Sequence, residues 1–156
     1  MTAHPAPVSP LLVFGWGNLS RGDDALGPMC VHALRCASNG GGQVEYLEDY
    51  QLQMEHCLDL VGRKRVLFVD ASQSCRPPYQ VTRLRAQQDG SFSSHALSPQ
   101  GVMQVFCDLQ GGQPPPCTLL EIRGERFELG QSPSGAALEH LAAALKWAGT
   151  WLAQRQ

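Results

Sequence analysis

Apolar positions along this chain fall into short continuous runs that alternate with longer stripes at helical spacing. Leu11 to Phe14 is a run too short for a helix and is closed by Gly15, which predicts a strand buried on both faces. Leu26, Met29, Cys30, Ala33 and Leu34 then recur on one helical face and predict a helix that stops before Gly40-Gly41-Gly42. Val44 to Leu47 predicts a second strand. Met54, Cys57, Leu58 and Val61 mark a second helix ending at Gly62, and Arg65 to Val69 a third strand that stops abruptly at Asp70. Residues 79–85 alternate imperfectly behind Pro77-Pro78 and predict an edge or antiparallel strand. After the polar stretch Gln87 to Leu97, which carries His95, Ser98-Pro99 reads as N-cap and first turn of a helix burying Val102, Val105, Phe106 and Leu109. Beyond the Gly/Pro break at 111–116, Thr118 to Ile122 predicts the last strand. Ser132-Pro133 is expected to cap a long helix whose stripe is Leu138, Leu141, Leu145, Ala148 and Leu152.

Strands that alternate with amphipathic helices predict an α/β fold: a single three-layer α/β/α domain over residues 11–156, with a mainly parallel, roughly five-stranded twisted sheet. Residues 1–10, rich in Pro and Ala, are expected to form a flexible start and lack the basic and apolar regions of a signal peptide. A chain of 156 residues with 43% hydrophobic content has the size of one domain. Its net charge of -2 and scattered basic residues give no electrostatic case for nucleic acid or a membrane surface. No apolar run approaches the roughly 20 residues of a membrane span, and a cytoplasmic location is expected. The six cysteines form no C-x-x-C pair, so neither a zinc site nor a redox dithiol is signalled. Most read as small core residues; Cys75, in a polar loop, is the one weighed as a nucleophile.

The chemistry concentrates where the first strand ends. Gly15-Trp16-Gly17 invites a dinucleotide reading, but the third glycine of that motif is replaced by Ser20, and Asp23 and Asp24 would repel phosphate. A cation suits the carboxylates better. If the first and third strands are neighbours, as in the 2-1-3 order of doubly wound sheets, Asp24 and Asp70 reach one crevice. Two close carboxylates repel unless a cation or proton compensates. His95, from the long loop, would complete an oxygen and nitrogen site with open positions, better suited to zinc or nickel than to calcium. Plainer readings stay open on the residues alone. Asp23 and Asp24 suit a helix start, where a carboxylate gains about 0.3 to 1 kcal/mol from the helix dipole. Asp70 suits an Asx turn with Ser72 and Ser74, and a lone His in a polar loop is commonly just solvated.

Gly15-x-Gly17-Asn18-x-x-x-Gly22-Asp23-Asp24-x-x-Gly27 resembles the opening motif of the endopeptidases that mature nickel-iron hydrogenases. The resemblance continues through Val69-Asp70, through Ser94-His95-x-Leu97 ahead of a Pro-capped helix, and through Gly124-Glu-x-Phe127-Glu128. It spans nearly all of residues 11–145. It implies that Asp24, Asp70 and His95 contact a metal, with Gly17, Asn18, Asp23 and Gln51 supporting the site or the substrate. The activity implied is removal of the C-terminal extension from a hydrogenase large-subunit precursor after nickel insertion. Nickel would come with that precursor, and no nucleotide or organic cofactor is expected. The chain departs from many relatives at Ala25, where they have Gly, and at Tyr50-Gln51-Leu52, where several have Gly-Gly-Thr. Gln51-Leu52 followed by Glu55 resembles the branch serving soluble, NAD-linked hydrogenases. Two other readings are carried: a non-catalytic chaperone for the nickel-loaded precursor, and a nucleotide-binding Rossmann-like module, which Ser20 disfavours.

Overall fold

The computed structural model describes residues 7–38, 41–90 and 96–154. Five strands, β1 (Leu11–Trp16), β2 (Val44–Asp49), β3 (Arg65–Ser72), β4 (Tyr79–Arg83) and β5 (Cys117–Arg123), form one sheet in the order β2-β1-β3-β5-β4. The first three and β5 are parallel, and β4 runs antiparallel at the edge beside β5. Three helices pack on it: α1 (Leu26–Ala37), α2 (Pro99–Gln110) and α3 (Gly135–Ala153).

Two apolar layers sandwich the sheet. Leu11, Val13, Leu67, Val69, Leu120 and Ile122 face α1 and α3, while Leu12, Phe14, Val66, Phe68 and Cys117 face α2. Because alternate residues are buried on opposite faces, β1 and β3 read in sequence as unbroken apolar runs. All three helices meet the sheet so that their N-termini stand at the carboxyl ends of the parallel strands. α1 and α3 follow β1 and β5, and α2 descends toward the start of β5.

Several local expectations change. The predicted helix at 54–61 is a 3-10 segment, Met54–Leu60. At three residues per turn, Cys57 and Leu60 share the buried face, whereas Leu58 is 60% exposed and Met54 and Val61 also face solvent. The α3 stripe keeps Leu141 and Ala148 and is otherwise shifted by one position: Ala137, Ala144 and Trp151 are buried, and Leu138 is exposed. Small residues let the helix lie close on the sheet, so the contact face is the alanine side, with leucines at its margin. Its N-cap is Ser134, whose hydroxyl accepts the Ala137 N–H at 3.2 Å, in place of Ser132. In α2, Ser98 caps as expected, accepting the Gly101 N–H at 3.0 Å, but Leu109 is exposed. Of the start expected to be flexible, residues 1–6 lie outside the described part. Ser9 and Pro10 are tied down: Ser9 accepts from Arg63 at 2.9 Å and donates to the Gly42 carbonyl at 2.9 Å, and Pro10 accepts the Lys64 N–H at 2.7 Å.

Candidate active site

The strand order reverses between β1 and β3, and the crevice at their carboxyl ends is where doubly wound sheets bind ligands. Glycines let the chain close on itself there. A Cβ on Gly27 would stand 2.4 Å from the Trp16 carbonyl oxygen and 2.9 Å from that of Val69, so only glycine lets the start of α1 touch the ends of both strands. Gly17, with φ of +153°, lies against the short 3-10 turn Gly22–Ala25, and a Cβ on it would fall 1.9 Å from the Asp24 carbonyl oxygen. The Asn18 N–H donates to Asp24 Oδ2 at 2.7 Å and fixes that carboxylate. Asn18 itself is held, accepting the Ser20 N–H at 2.8 Å and donating to the Tyr50 hydroxyl at 3.4 Å. Gly17 and Asn18 therefore position Asp24. Asp24 makes no capping bond to α1, whose N-cap residue is Ala25.

Asp70 sits in β3 beside Glu121 of β5, on the sheet face that carries Phe68 and Phe14. Burial, the Asp24 charge and the Glu121 charge push its carboxyl up to about 7, against a hydrogen bond from the Ala71 N–H. The turn after β3 is made by Ser72, which accepts the N–H groups of Ser74 at 3.2 Å and Cys75 at 3.0 Å; Asp70 is left out of it. A carboxyl held near neutrality beside a second carboxylate is a place that gains from a proton or a cation.

Asp23 points the other way. It is fully buried and accepts four hydrogen bonds, from the N–H groups of Glu125 (2.6 Å), Arg126 (3.0 Å) and Ser134 (2.6 Å) and from the Ser134 hydroxyl (2.7 Å). Burial alone would raise its pKa, but these bonds outweigh it and hold the carboxyl below its ordinary value. Asp23 thus anchors the loop before α3 and orients the serine that caps that helix.

His95, the third expected ligand, lies outside the described residues. Among the described residues no group of three His, Cys, Asp or Glu side chains is placed to hold a metal ion. The chain beyond His95 returns at the carboxyl edge, where the Leu97 N–H donates to the Leu52 carbonyl at 3.0 Å and Ser98 is held by Asp89. Gln51 is half-buried in the same loop as Leu52 and follows Tyr50, which lines a cleft of about 310 Å³ with Asn18, Leu19 and Asp49.

Solved structures that share the fold include three maturation peptidases and endopeptidases. A nickel-iron hydrogenase maturation protease, HycI, from Thermococcus kodakarensis superposes with a TM-score of 0.72 at 19% identity, covering 96% of both chains. The hydrogenase maturating endopeptidase HybD from Escherichia coli gives 0.71 at 23% identity over 91% of each. An Escherichia coli endopeptidase gives 0.69 at 24% identity over 88% of each. The chain has the hydrogenase maturation protease fold. No protein-family model and no curated protein matches the sequence.

Within that maturation protease fold, two further carboxyl-edge residues were not anticipated. Glu121 is a charged residue inside an otherwise apolar strand, a signal visible in sequence but without meaning until the register places it beside Asp70. His56 makes hydrogen bonds through both ring nitrogens. Cys75 is buried, its thiol directed at the Glu121 carbonyl at 3.7 Å, and burial raises its pKa. A buried thiol held protonated is a poor nucleophile.

Proposed function

We propose that this protein is an endopeptidase that removes the C-terminal extension of a nickel-iron hydrogenase large-subunit precursor and recognises nickel already bound there. The observation that carries this reading is the Asp24–Asp70 pair at the β1/β3 crevice, with Asp70 raised to about 7 partly by the charge of Asp24. Such a pair gains when a cation arrives and loses when it departs. Its fold neighbours, named as hydrogenase maturation proteases, favour a peptide substrate over a nucleotide.

In this reading nickel is part of the substrate. Asp24, held by the Asn18 N–H, and Asp70, projecting from β3, dock on it, with His95 as the third contact, and so bring the scissile peptide to a fixed position. A metal so placed polarises a carbonyl or activates water, which removes the need for a serine or cysteine nucleophile. A precursor lacking nickel offers no cation to the carboxylates and is left uncut. Gln51-Leu52 and Glu55 favour precursors of the soluble, NAD-linked type. No helix among the described residues is long and apolar enough to cross a membrane, in keeping with a precursor met in the cytoplasm.

The test mixes purified protein with nickel-loaded and nickel-free precursor and follows intact mass. Loss of the extension from the nickel-loaded form alone is expected. An unchanged mass with tight association would mean a chaperone, and equal cleavage of both forms would end the nickel-gating model. His95→Ala is expected to abolish processing while leaving the unfolding free energy within about 0.5 kcal/mol of wild type.

A further inference from the structure

Resting on the peptidase reading, we propose that His56 is a positioning residue for the reaction: it holds the Asp49 carboxylate and thereby sets the cleft wall beside Asp24.

The imidazole is nearly covered, with its side chain 12% exposed, and meets Phe14 edge-on with ring centroids 4.7 Å apart. The Gln53 N–H donates to Nδ1 at 2.8 Å. A ring nitrogen that receives an N–H carries no proton, so in the neutral ring the proton sits on Nε2. Nε2 faces Asp49 Oδ2 at 3.0 Å and donates to it. The other Asp49 oxygen accepts the Tyr50 N–H at 2.6 Å, and the Asp49 carbonyl accepts the Gly17 N–H at 3.2 Å. Asp49 is thus pinned through both carboxylate oxygens and through its backbone.

These bonds lead to the site. Tyr50, fixed by the turn at Asp49, receives the Asn18 side chain, and the Asn18 N–H orients Asp24. Gly17, bonded to the Asp49 carbonyl, is the residue packed on the Asp24 backbone. A shift of Asp49 therefore moves both supports of Asp24. With both ring nitrogens engaged, His56 has none left to take a proton from substrate, which excludes a direct role as general base. Nor does fold stability explain the pair. The Asp49 side chain is 45% exposed, and ion pairs in water contribute little. An aliphatic residue would fill the space against Phe14 but would leave the Gln53 N–H, which the imidazole caps at the start of the 3-10 segment, without its acceptor. Beyond that cap, which an asparagine retains, the imidazole adds one fixed orientation of Asp49.

The experiment uses the full chain and nickel-loaded precursor, with His56→Asn, His56→Gln, Asp49→Asn and the Asp49→Asn/His56→Asn double variant. The asparagine oxygen stands where Nδ1 stood and keeps the Gln53 bond but loses Asp49. The glutamine amide nitrogen stands where Nε2 stood and keeps Asp49. Asp49→Asn, at a half-exposed side chain, removes the strut without touching the core and leaves one acceptor for two donors. We expect His56→Asn and Asp49→Asn each to lower kcat on the order of 10- to 100-fold with KM little changed. The double variant is expected to be no slower than either single, and His56→Gln to recover most of the rate. In 15N spectra of the free protein, the Asn18 amide shifts in His56→Asn and returns in His56→Gln. Wild-type rates in both Asn variants, a His56→Gln as slow as His56→Asn, or an unmoved Asn18 amide each overturn the proposal. Failure of the wild-type protein to cut the precursor overturns the peptidase reading instead, and the Asn18 amide still decides whether His56 positions the loop.

Discussion

Replacing Asp70 by Asn should stabilise the fold at neutral pH while abolishing processing. The carboxyl lies at 3.8 when unperturbed and about 7 in the folded chain. At about 1.4 kcal/mol for each tenfold change, that interval corresponds to about 4 kcal/mol; partial solvent access lowers the expectation to about 2–4 kcal/mol. The sign follows from which state ionises first. Below pH 3.8 the residue is protonated in both states and costs nothing. Between 3.8 and 7 the unfolded chain ionises while the folded one retains its proton, so stability falls steadily as pH rises. Above 7 the loss is complete. The asparagine of Asp70→Asn has no proton to lose, so the variant should match wild type near pH 4 and exceed it by about 2–4 kcal/mol at pH 8, a rise in Tm of about 4–16 °C for a chain of this size. Urea unfolding of both proteins from pH 4 to 8, without added metal, measures this difference. Parallel stability curves across that range would show that Asp70 is not held protonated beside Asp24, and the argument for a cation-seeking pair would fail with them.

Asp23→Ala leaves the N–H groups of Glu125, Arg126 and Ser134 without an acceptor, at about 1–3 kcal/mol each, and should cost about 3–5 kcal/mol in urea unfolding; a loss below 1 kcal/mol would contradict its anchoring role. Because its folded pKa is depressed, the contribution of Asp23 is fully present above pH 3.8 and fades as pH falls further. Gly17→Ala drives a methyl into the Asp24 carbonyl and should reduce processing at least tenfold, since misplacing a contact group by an ångström costs up to about 100-fold; wild-type turnover would refute the close contact. Cys75→Ala should process precursor at the wild-type rate, and an inactive but folded variant would reinstate it as a nucleophile.

The meeting of Asp24 and Asp70 was legible because one lies past and the other within the carboxyl end of a strand whose apolar run announces burial on both faces. Two such strands in 2-1-3 order bring their ends together. The partners of Asp23 were not legible. The nearest donor to its carboxylate in sequence, the Glu125 N–H, lies 102 residues away, and no local pattern marks a carboxylate as spoken for at that distance. The alanine face of α3 was hidden by the leucines beside it, since periodicity weighs large side chains more than close approach does. The 3-10 segment was read as an α-helix because about 3.0 and 3.6 residues per turn differ little over a single turn; over seven positions the drift moves the buried face from Met54, Cys57, Leu58 and Val61 to Cys57 and Leu60. Glu121 required the β3/β5 register, which strand patterns alone leave undetermined.

The bonds from Asp23 to Ser134, spanning 111 residues, also have a consequence in time. A ribosome delivers the glycine loop and both site aspartates long before it delivers the segment that clasps Asp23. Until Glu125 to Ser134 have emerged, Asp23 has only water for company, and a loop closed over so long a stretch forms late. A nascent or C-terminally shortened chain therefore carries the glycine loop and its carboxylates without the anchor that sets their geometry.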